Sequence, residues 1–328
     1  MRGAWPGSPI PVPCRSSEAA RPTWGTGVIP VARMRQRHRA PVDSVNMHAE
    51  PHAPAKTIHA VFLDVDGTYA DYGVVPQSHA RAVRAARTAG HKVLLCTGRP
   101  VAMLPEHILE AGFDGLVASA GAYVEVDGEV LMDRRFPAEM ADRTLAALDA
   151  HDAVYVLESP EALHVRASAE PRLREIIESH FSQRPDGRKT GSSAILGSLA
   201  TIPADPSFAK ISVFEAPVSV GSIAAEIGAD VAVVENSIAD EGRHTGELFR
   251  RGISKADGVA VAIERLGIDR ADTIAFGDGE NDLEMIAYAG LGVAIEGSHP
   301  GLLVLADRTA LPPSRDGIAA AFAELGLI

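Results

Sequence analysis

Ile58-His59-Ala60-Val61-Phe62-Leu63-Asp64-Val65-Asp66-Gly67-Thr68 decides how this chain of 328 residues reads. The mostly apolar run Ile58 to Leu63 predicts a buried strand, and Gly67 turns the chain away after it. Residues i and i+2 of a strand share a face, so Asp64 and Asp66 are expected to look onto one small volume. Open α/β sheets bind ligands at the carboxyl ends of their strands. Two such close like charges are unfavourable unless a cation or a proton is shared between them. The pair therefore points to a metal, to proton transfer, or to both. A polar turn after a strand is the plainer alternative. A calcium loop counted from Asp64 would need Gly and Glu at its sixth and twelfth positions, which hold Tyr69 and Val75.

The rest of the chain narrows the class. At 46% hydrophobic and 23% charged, it has a globular composition, and no apolar run is long enough to span a bilayer. Two cysteines, Cys14 and Cys96, cannot make a disulfide framework or a cysteine-rich zinc site, and they fit a reducing, cytoplasmic setting. Residues 1–46 carry seven Arg and two acids, about +5, which leaves about −17 of the total −12 for the remainder. So acidic a body argues against nucleic-acid binding. Residues 1–56 are rich in Pro, Gly, Ser and Arg without sustained period, and are expected to be a disordered extension. Its Arg33, Arg35, Arg37 and Arg39 could form an anion-binding arm. A nonessential tail, or translation beginning at Met34 or Met47, is the plainer reading, and a chain starting at Met47 should then fold and act normally.

From Thr57 strands and helices alternate. The pattern predicts strands at 58–64, 91–96 and 116–118, helices at 76–89 and 100–111 (interrupted at Pro105), and a hairpin around Asp127-Gly128. This order implies a parallel sheet with right-handed crossovers over residues 57–136. Residues 137–245 have another rhythm, with paired short strands and helices that suggest an inserted α+β domain. The α/β rhythm resumes over 246–328, with a helix at 255–266, a strand at 273–276, a helix at 282–289 and a strand at 292–295. The fold class expected is α/β, one sheet domain split by an insertion.

Three further strand or helix ends carry chemistry. Asp278 and Asp282 lie in Gly277-Asp278-Gly279-Glu280-Asn281-Asp282, after the strand ending at Phe276. If that strand joins the first sheet, Asp64, Asp66 and Asp278 converge on one edge, a set of hard oxygen donors suited to Mg²⁺. The alternative is a polar loop with Asp282 near a helix start. Thr97 in Cys96-Thr97-Gly98-Arg99-Pro100 could hydrogen-bond a phosphate oxygen with help from nearby backbone N–H groups; a Thr in a turn is the plain reading. Lys255 follows Ser254, an N-cap candidate with Asp257 as its capping-box partner. A cation in a helix's first turn opposes the macrodipole at about 0.3–1 kcal/mol, a penalty that an adjacent anion would reverse.

These four segments, DVDGT, LLCTGRP, the lysine of GISKADGV, and GDGENDLEMI, resemble in order the four motifs of the haloacid dehalogenase-like hydrolase superfamily. The large insertion between the second and third resembles its Cof-type branch. The resemblance implies a Rossmann-like core with an inserted α+β cap and a phosphatase acting on a small phosphorylated metabolite. By that likeness Asp64 is the nucleophile that forms an aspartyl-phosphate, and Asp66 is the general acid and base. Thr97, Gly98, Lys255 and Asn281 hold the phosphoryl oxygens. Mg²⁺ is held by Asp64, the Asp66 carbonyl and Asp278, with Asp282 in support. Dehalogenase members lack the second acid, so Asp66 favours phosphoryl transfer. Transfer to a sugar hydroxyl instead of water, as in a mutase, and a non-catalytic binding module are the alternatives.

The chain departs from the branch at Ser119-Ala120-Gly121-Ala122, where Asn-Gly-Ala is usual, and at Ala294-Ile295-Glu296-Gly297-Ser298. Both places bear on substrate. In the insertion no motif appears; Arg166, Arg184, Arg188, Lys189 and Arg243 could face a second anionic group. No membrane or nucleic-acid partner is expected, and the oligomeric state is not encoded legibly.

Overall fold

The computed structural model describes residues 57–182, 195–235 and 244–328. The expected N-terminal extension, residues 1–56 with its arginine cluster, and Arg184, Arg188, Lys189 and Arg243 lie outside the described residues. Five strands come first in the chain: β1 (Ala60–Leu63), β2 (Lys92–Cys96), β3 (Gly115–Ala118), β4 (Tyr123–Val126) and β5 (Glu129–Asp133). Six follow in the insertion: β6 (Val154–Glu158), β7 (Leu163–Val165), β8 (Leu199–Thr201), β9 (Lys210–Ala216), β10 (Val231–Glu235) and β11 (His244–Arg250). The last three described are β12 (Thr273–Gly277), β13 (Leu291–Ile295) and β14 (Arg308–Ala310).

They form two sheets. The first has the order β14-β13-β12-β1-β2-β3-β4-β5 and is parallel from β14 to β3, with β4 and β5 added antiparallel. The second, β10-β11-β9-β6-β7-β8, is antiparallel except for the β7–β8 pair. An α/β sheet split by a separate mixed sheet is thus the architecture of this chain.

Each core strand is apolar on both faces, as a doubly covered parallel sheet requires. Val61, Leu63, Val93, Leu95, Ile274 and Phe276 pack with Ala82, Val83 and Ala86 of the helix Gln77–Thr88 and with Ile318 and Phe322 of the helix Gly317–Glu324. The alternating partners Ala60, Phe62, Leu94, Cys96 and Ala275 face Val259, Ala262 and Ile263 of the helix Lys255–Leu266, and Met285 and Ile286 beyond. The predicted hairpin turn is present, with Asp127 at φ 51° and Gly128 at φ 79°, the left-handed pair that a two-residue turn between twisted strands needs. The stretch from Pro100 breaks at Pro105 into a short turn and the helix Glu106–Leu109.

The strands β8, β11 and β14 and the helices Pro300–Leu305 and Gly317–Glu324 were not expected from the sequence pattern. β11 runs between β10 and β9 with His244, Glu247 and Arg250 among its seven residues, a charge content that masks a central strand. The rhythm change at 245 falls inside this strand, and the chain leaves the second sheet only after Arg250. Among the described residues, no helix is long and apolar enough to cross a membrane.

Candidate active site

β1 sits at the centre of the first sheet, with β2 and its successors on one side and β12 on the other, so strand order reverses at β1–β12. Ligands of open α/β sheets lie in the crevice at such a point. Register pairs Leu63 with Phe276, and the Asp64 N–H donates to the Phe276 carbonyl at 3.0 Å. The two acidic loops therefore leave the sheet side by side. One carboxylate oxygen from each of Asp64, Asp278 and Asp282 lies within 4.8 Å of the others. Gly67 has φ 79°, and a Cβ there would come 2.3 Å from the Asp278 carboxylate, so only glycine lets the first loop pass the second. Thr68 donates to Asp278 Oδ1 at 2.9 Å. Asp282 is wholly buried and accepts from the N–H groups of Asp278 and Gly279, each at 3.0 Å, which ties the loop to its own helix start.

Lys255 enters from the opposite element. Its helix begins as expected, with Ser254 N–H and Oγ–H both donating to Asp257 Oδ2 at 2.8 Å. The lysine is buried and donates to Asp64 Oδ1 and Asp282 Oδ1, both at 2.6 Å. The cost of a cation at a helix start is thereby offset by two carboxylates. The first turn of this helix is pressed against Gly121 (φ 101°), where a Cβ would lie 1.9 Å from the Ser254 carbonyl oxygen. Ser119 and Ala120 just before it hold φ 48° and 54°, left-handed conformations that cost non-glycine residues energy. The departure from the usual string thus lies where the chain wraps the lysine's helix.

The electrostatics follow from burial. Enclosure pushes the Asp64 carboxyl well above its usual range; Lys255 pulls it down, and Asp282 and Asp278 push it up again. Asp278 is raised to about 6, chiefly by burial, with the Thr68 hydrogen bond opposing. Burial disfavours the charged form of Lys255, but Asp282 and Asp64 outweigh it and hold the ammonium. Three carboxylates against one ammonium leave this cluster short of positive charge. Hard oxygen donors in that number are a fitting set for Mg²⁺.

Thr97 is buried after β2, and its Oγ accepts the Arg99 N–H at 3.1 Å. The Asp66 side chain is turned to Arg99 instead of the acid cluster: Nε meets Oδ2 at 2.7 Å and Nη2 meets Oδ1 at 2.5 Å. A cavity of about 360 Å³ opens over these groups, lined from the first sheet by Asp64, Asp66, Thr97, Gly98, Asp278 and Asn281. Lys255 and Asp282 lie behind its floor. The eight residues expected from the sequence therefore come together, six on the surface of one cavity and two beneath it. A larger groove of about 570 Å³, beside Arg81, Arg84 and His107, contains none of them.

The second sheet supplies the other wall with Glu158, Lys210, Ser212 and Glu247, none of them a site residue in the sequence reading. The signal available was the alternation of Lys210, Ser212 and Phe214 with the apolar Ile211 and Val213; partners on β6 and β11 need the register. Arg99, quoted within its motif but given no role, also belongs to the site. Arg166, offered as a contact for a second anion, does not line the cavity: it pairs with Asp149 at 3.1 Å, donates to the Ala153 carbonyl and covers the Tyr155 ring.

The model of the haloacid dehalogenase-like hydrolase family matches residues 61–322. YkrA of Bacillus subtilis, which bears a provisional phosphatase name, is 28% identical over 269 residues, covering 82% of this chain and 98% of its own. A phosphoglycolate phosphatase of Methanothermobacter thermautotrophicus is 24% identical over 267 residues, covering 80% and 97%. Among solved structures, BT1666 of Bacteroides thetaiotaomicron, a protein from a study of phosphatases of the same superfamily, superposes with a TM-score of 0.65 at 20% identity over 85% of this chain and all of its own. That likeness shows the fold.

Proposed function

This chain belongs to the haloacid dehalogenase-like hydrolases, and we propose that it is a Mg²⁺-dependent phosphatase that hydrolyses a small phosphomonoester through an aspartyl-phosphate on Asp64. The observation that carries the reading is Asp64 itself: a carboxylate on a cavity floor, held at 2.6 Å by a buried lysine and grouped with Asp278 and Asp282. The phosphatase names of the relatives agree with it.

Mg²⁺, held by Asp64, Asp278 and the Asp66 carbonyl, with Asp282 behind them, would neutralise charge between a carboxylate nucleophile and an anionic phosphate. The protein's own groups do the rest. Asp64 attacks phosphorus in line while the alcohol departs, and the carboxyl of Asp66 gives that alcohol its proton. Asp66 then takes a proton from water, whose oxygen attacks phosphorus, frees phosphate and restores Asp64. Lys255, Thr97, the backbone at Gly98, and Asn281 hold the equatorial oxygens as charge shifts among them. For either proton transfer Asp66 must swing from Arg99, so the doubly bonded pair fixes where that swing starts.

The test is substitution with a phosphate-release assay. Asp64→Asn should lower turnover in magnesium by about 10³-fold or more, because an amide is a poor nucleophile. Near-normal turnover would refute the mechanism. Asp66→Asn should lose about 10²–10⁴-fold on alkyl phosphates and recover partly with p-nitrophenyl phosphate, whose leaving group needs no proton. Phosphate release, as opposed to an isomerised phosphosugar, separates hydrolysis from mutase chemistry.

A further inference from the structure

The cavity face of the second sheet is assembled by strand register. On β9, Ile211 and Val213 pack into the second sheet's own core, while Lys210, Ser212 and Phe214 point to the cavity. Register sets Glu158 of β6 beside Lys210, and Glu247 of β11 beside Ser212. Lys210 is buried and meets three acceptors: Glu158 Oε2 at 3.3 Å, Glu247 Oε1 at 3.1 Å and the Gly98 carbonyl at 2.9 Å. The ammonium is thus held by two carboxylates and one carbonyl. Arg99, the other described cation on the cavity surface, stands on the first sheet's side, where it pairs with Asp66 and donates to the Met103 carbonyl. Glu158 is 2% exposed, its Oε1 accepts from Ser212, and its Oε2 has the ion pair but no hydrogen bond of good geometry.

Among the described residues, this wall thus carries two carboxylates and one cation paired to both, with Val156, Leu163 and Phe214 between them. A second phosphate or carboxylate on the substrate would meet, among the described residues of this wall, more negative than positive charge. A hydroxyl would find acceptors in Glu158 and Glu247, and its carbon skeleton an apolar surface. Resting on the phosphatase reading above, we propose that Glu158, Lys210 and Glu247 select phosphomonoesters whose leaving alcohol is hydroxylated and uncharged, and reject those carrying a second anionic group. Phosphoglycolate, the substrate in one relative's name, falls in the rejected class.

The test compares kcat/KM for two pairs that differ only by a CH₂OH in place of a carboxylate: glycerol 3-phosphate against 3-phosphoglycerate, and glucitol 6-phosphate against 6-phosphogluconate. p-Nitrophenyl phosphate in magnesium reports on the chemistry alone. The expected result is a preference of about tenfold or more for the neutral member of each pair, reduced several-fold in Glu247→Gln and in Glu158→Gln. Turnover of the reporter with equal or reversed preference overturns this inference and leaves the phosphatase reading standing. An unchanged ratio in both variants overturns the assignment to these residues. No turnover of the reporter or of any pair overturns the phosphatase reading, and this inference with it.

Discussion

Among the described residues two lysines are buried, each between two carboxylates, and their sheets use them differently. Lys255 starts a helix and reaches to the carboxyl edge of the first sheet, where Asp64 and Asp282 hold it at 2.6 Å and Asp278 adds a third acid. Lys210 stands on a strand of the second sheet between Glu158 and Glu247, and its third donor crosses to the Gly98 carbonyl of the first sheet. Around Lys255 negative charge is in excess and enclosed, a setting that favours a further cation. Around Lys210 two carboxylates and a carbonyl surround one ammonium, and Glu247 keeps about a third of its side chain in solvent. A lysine between two carboxylates thus stands at the ends of strands in one sheet, in the proposed reaction centre, and at a strand's start in the other, on the cavity wall.

The comparison can be broken most sharply by removing each cation. Lys255→Met should lower kcat by about 10²–10³-fold, the usual scale for losing one preorganised donor to a developing charge. It should also destabilise the metal-free protein by about 3–5 kcal/mol, since two buried carboxylates lose their partner. Lys210→Met should cost less, about 1–3 kcal/mol, because Glu247 can turn to water. Urea unfolding of both variants, with steady-state kinetics alongside, checks the ranking; equal losses would erase the distinction between the two settings.

The metal dependence sharpens it next. Asp278, raised to about 6 by burial, is ionised above that pH and protonated below it. Its raised value means that ionisation works against the metal-free fold as pH climbs from its unfolded value through 6, while Mg²⁺ needs the ionised form. The shift in Tm produced by Mg²⁺ should therefore be large at about pH 7.5 and shrink at about pH 5. Asp278→Asn should show little shift at either pH, whereas Glu158→Gln, in the other cluster, should keep it. The smallest effect is expected at Arg99. Arg99→Lys cannot make the two-bonded pair with Asp66, so kcat should fall about tenfold, with the loss partly erased for p-nitrophenyl phosphate.

Legibility in sequence follows the same division. Asp64, Asp66, Thr97, Asp278 and Asp282 each follow a hydrophobic strand within a few residues, and Lys255 is marked by Ser254 and Asp257. Local pattern therefore located them and the parallel sheet that gathers them. What brings Lys210, Glu158 and Glu247 together is register among β6, β9 and β11, contacts between residues 37 and 52 positions apart that no local period records. β11 itself was hidden by its charged face, and the Arg99–Asp66 pair by depending on how two loops cross.

The proposed nucleophile can be examined most directly by rapid acid quench of the Asp66→Asn protein during turnover of p-nitrophenyl phosphate in magnesium, followed by peptide mass spectrometry. Hydrolysis of the intermediate should be slowed in that variant, so the peptide containing Asp64 is expected to gain the mass of one phosphoryl group, with fragmentation placing it on Asp64. Continued turnover with Asp64 unmodified at every quench time, or phosphate on another residue, would contradict the account.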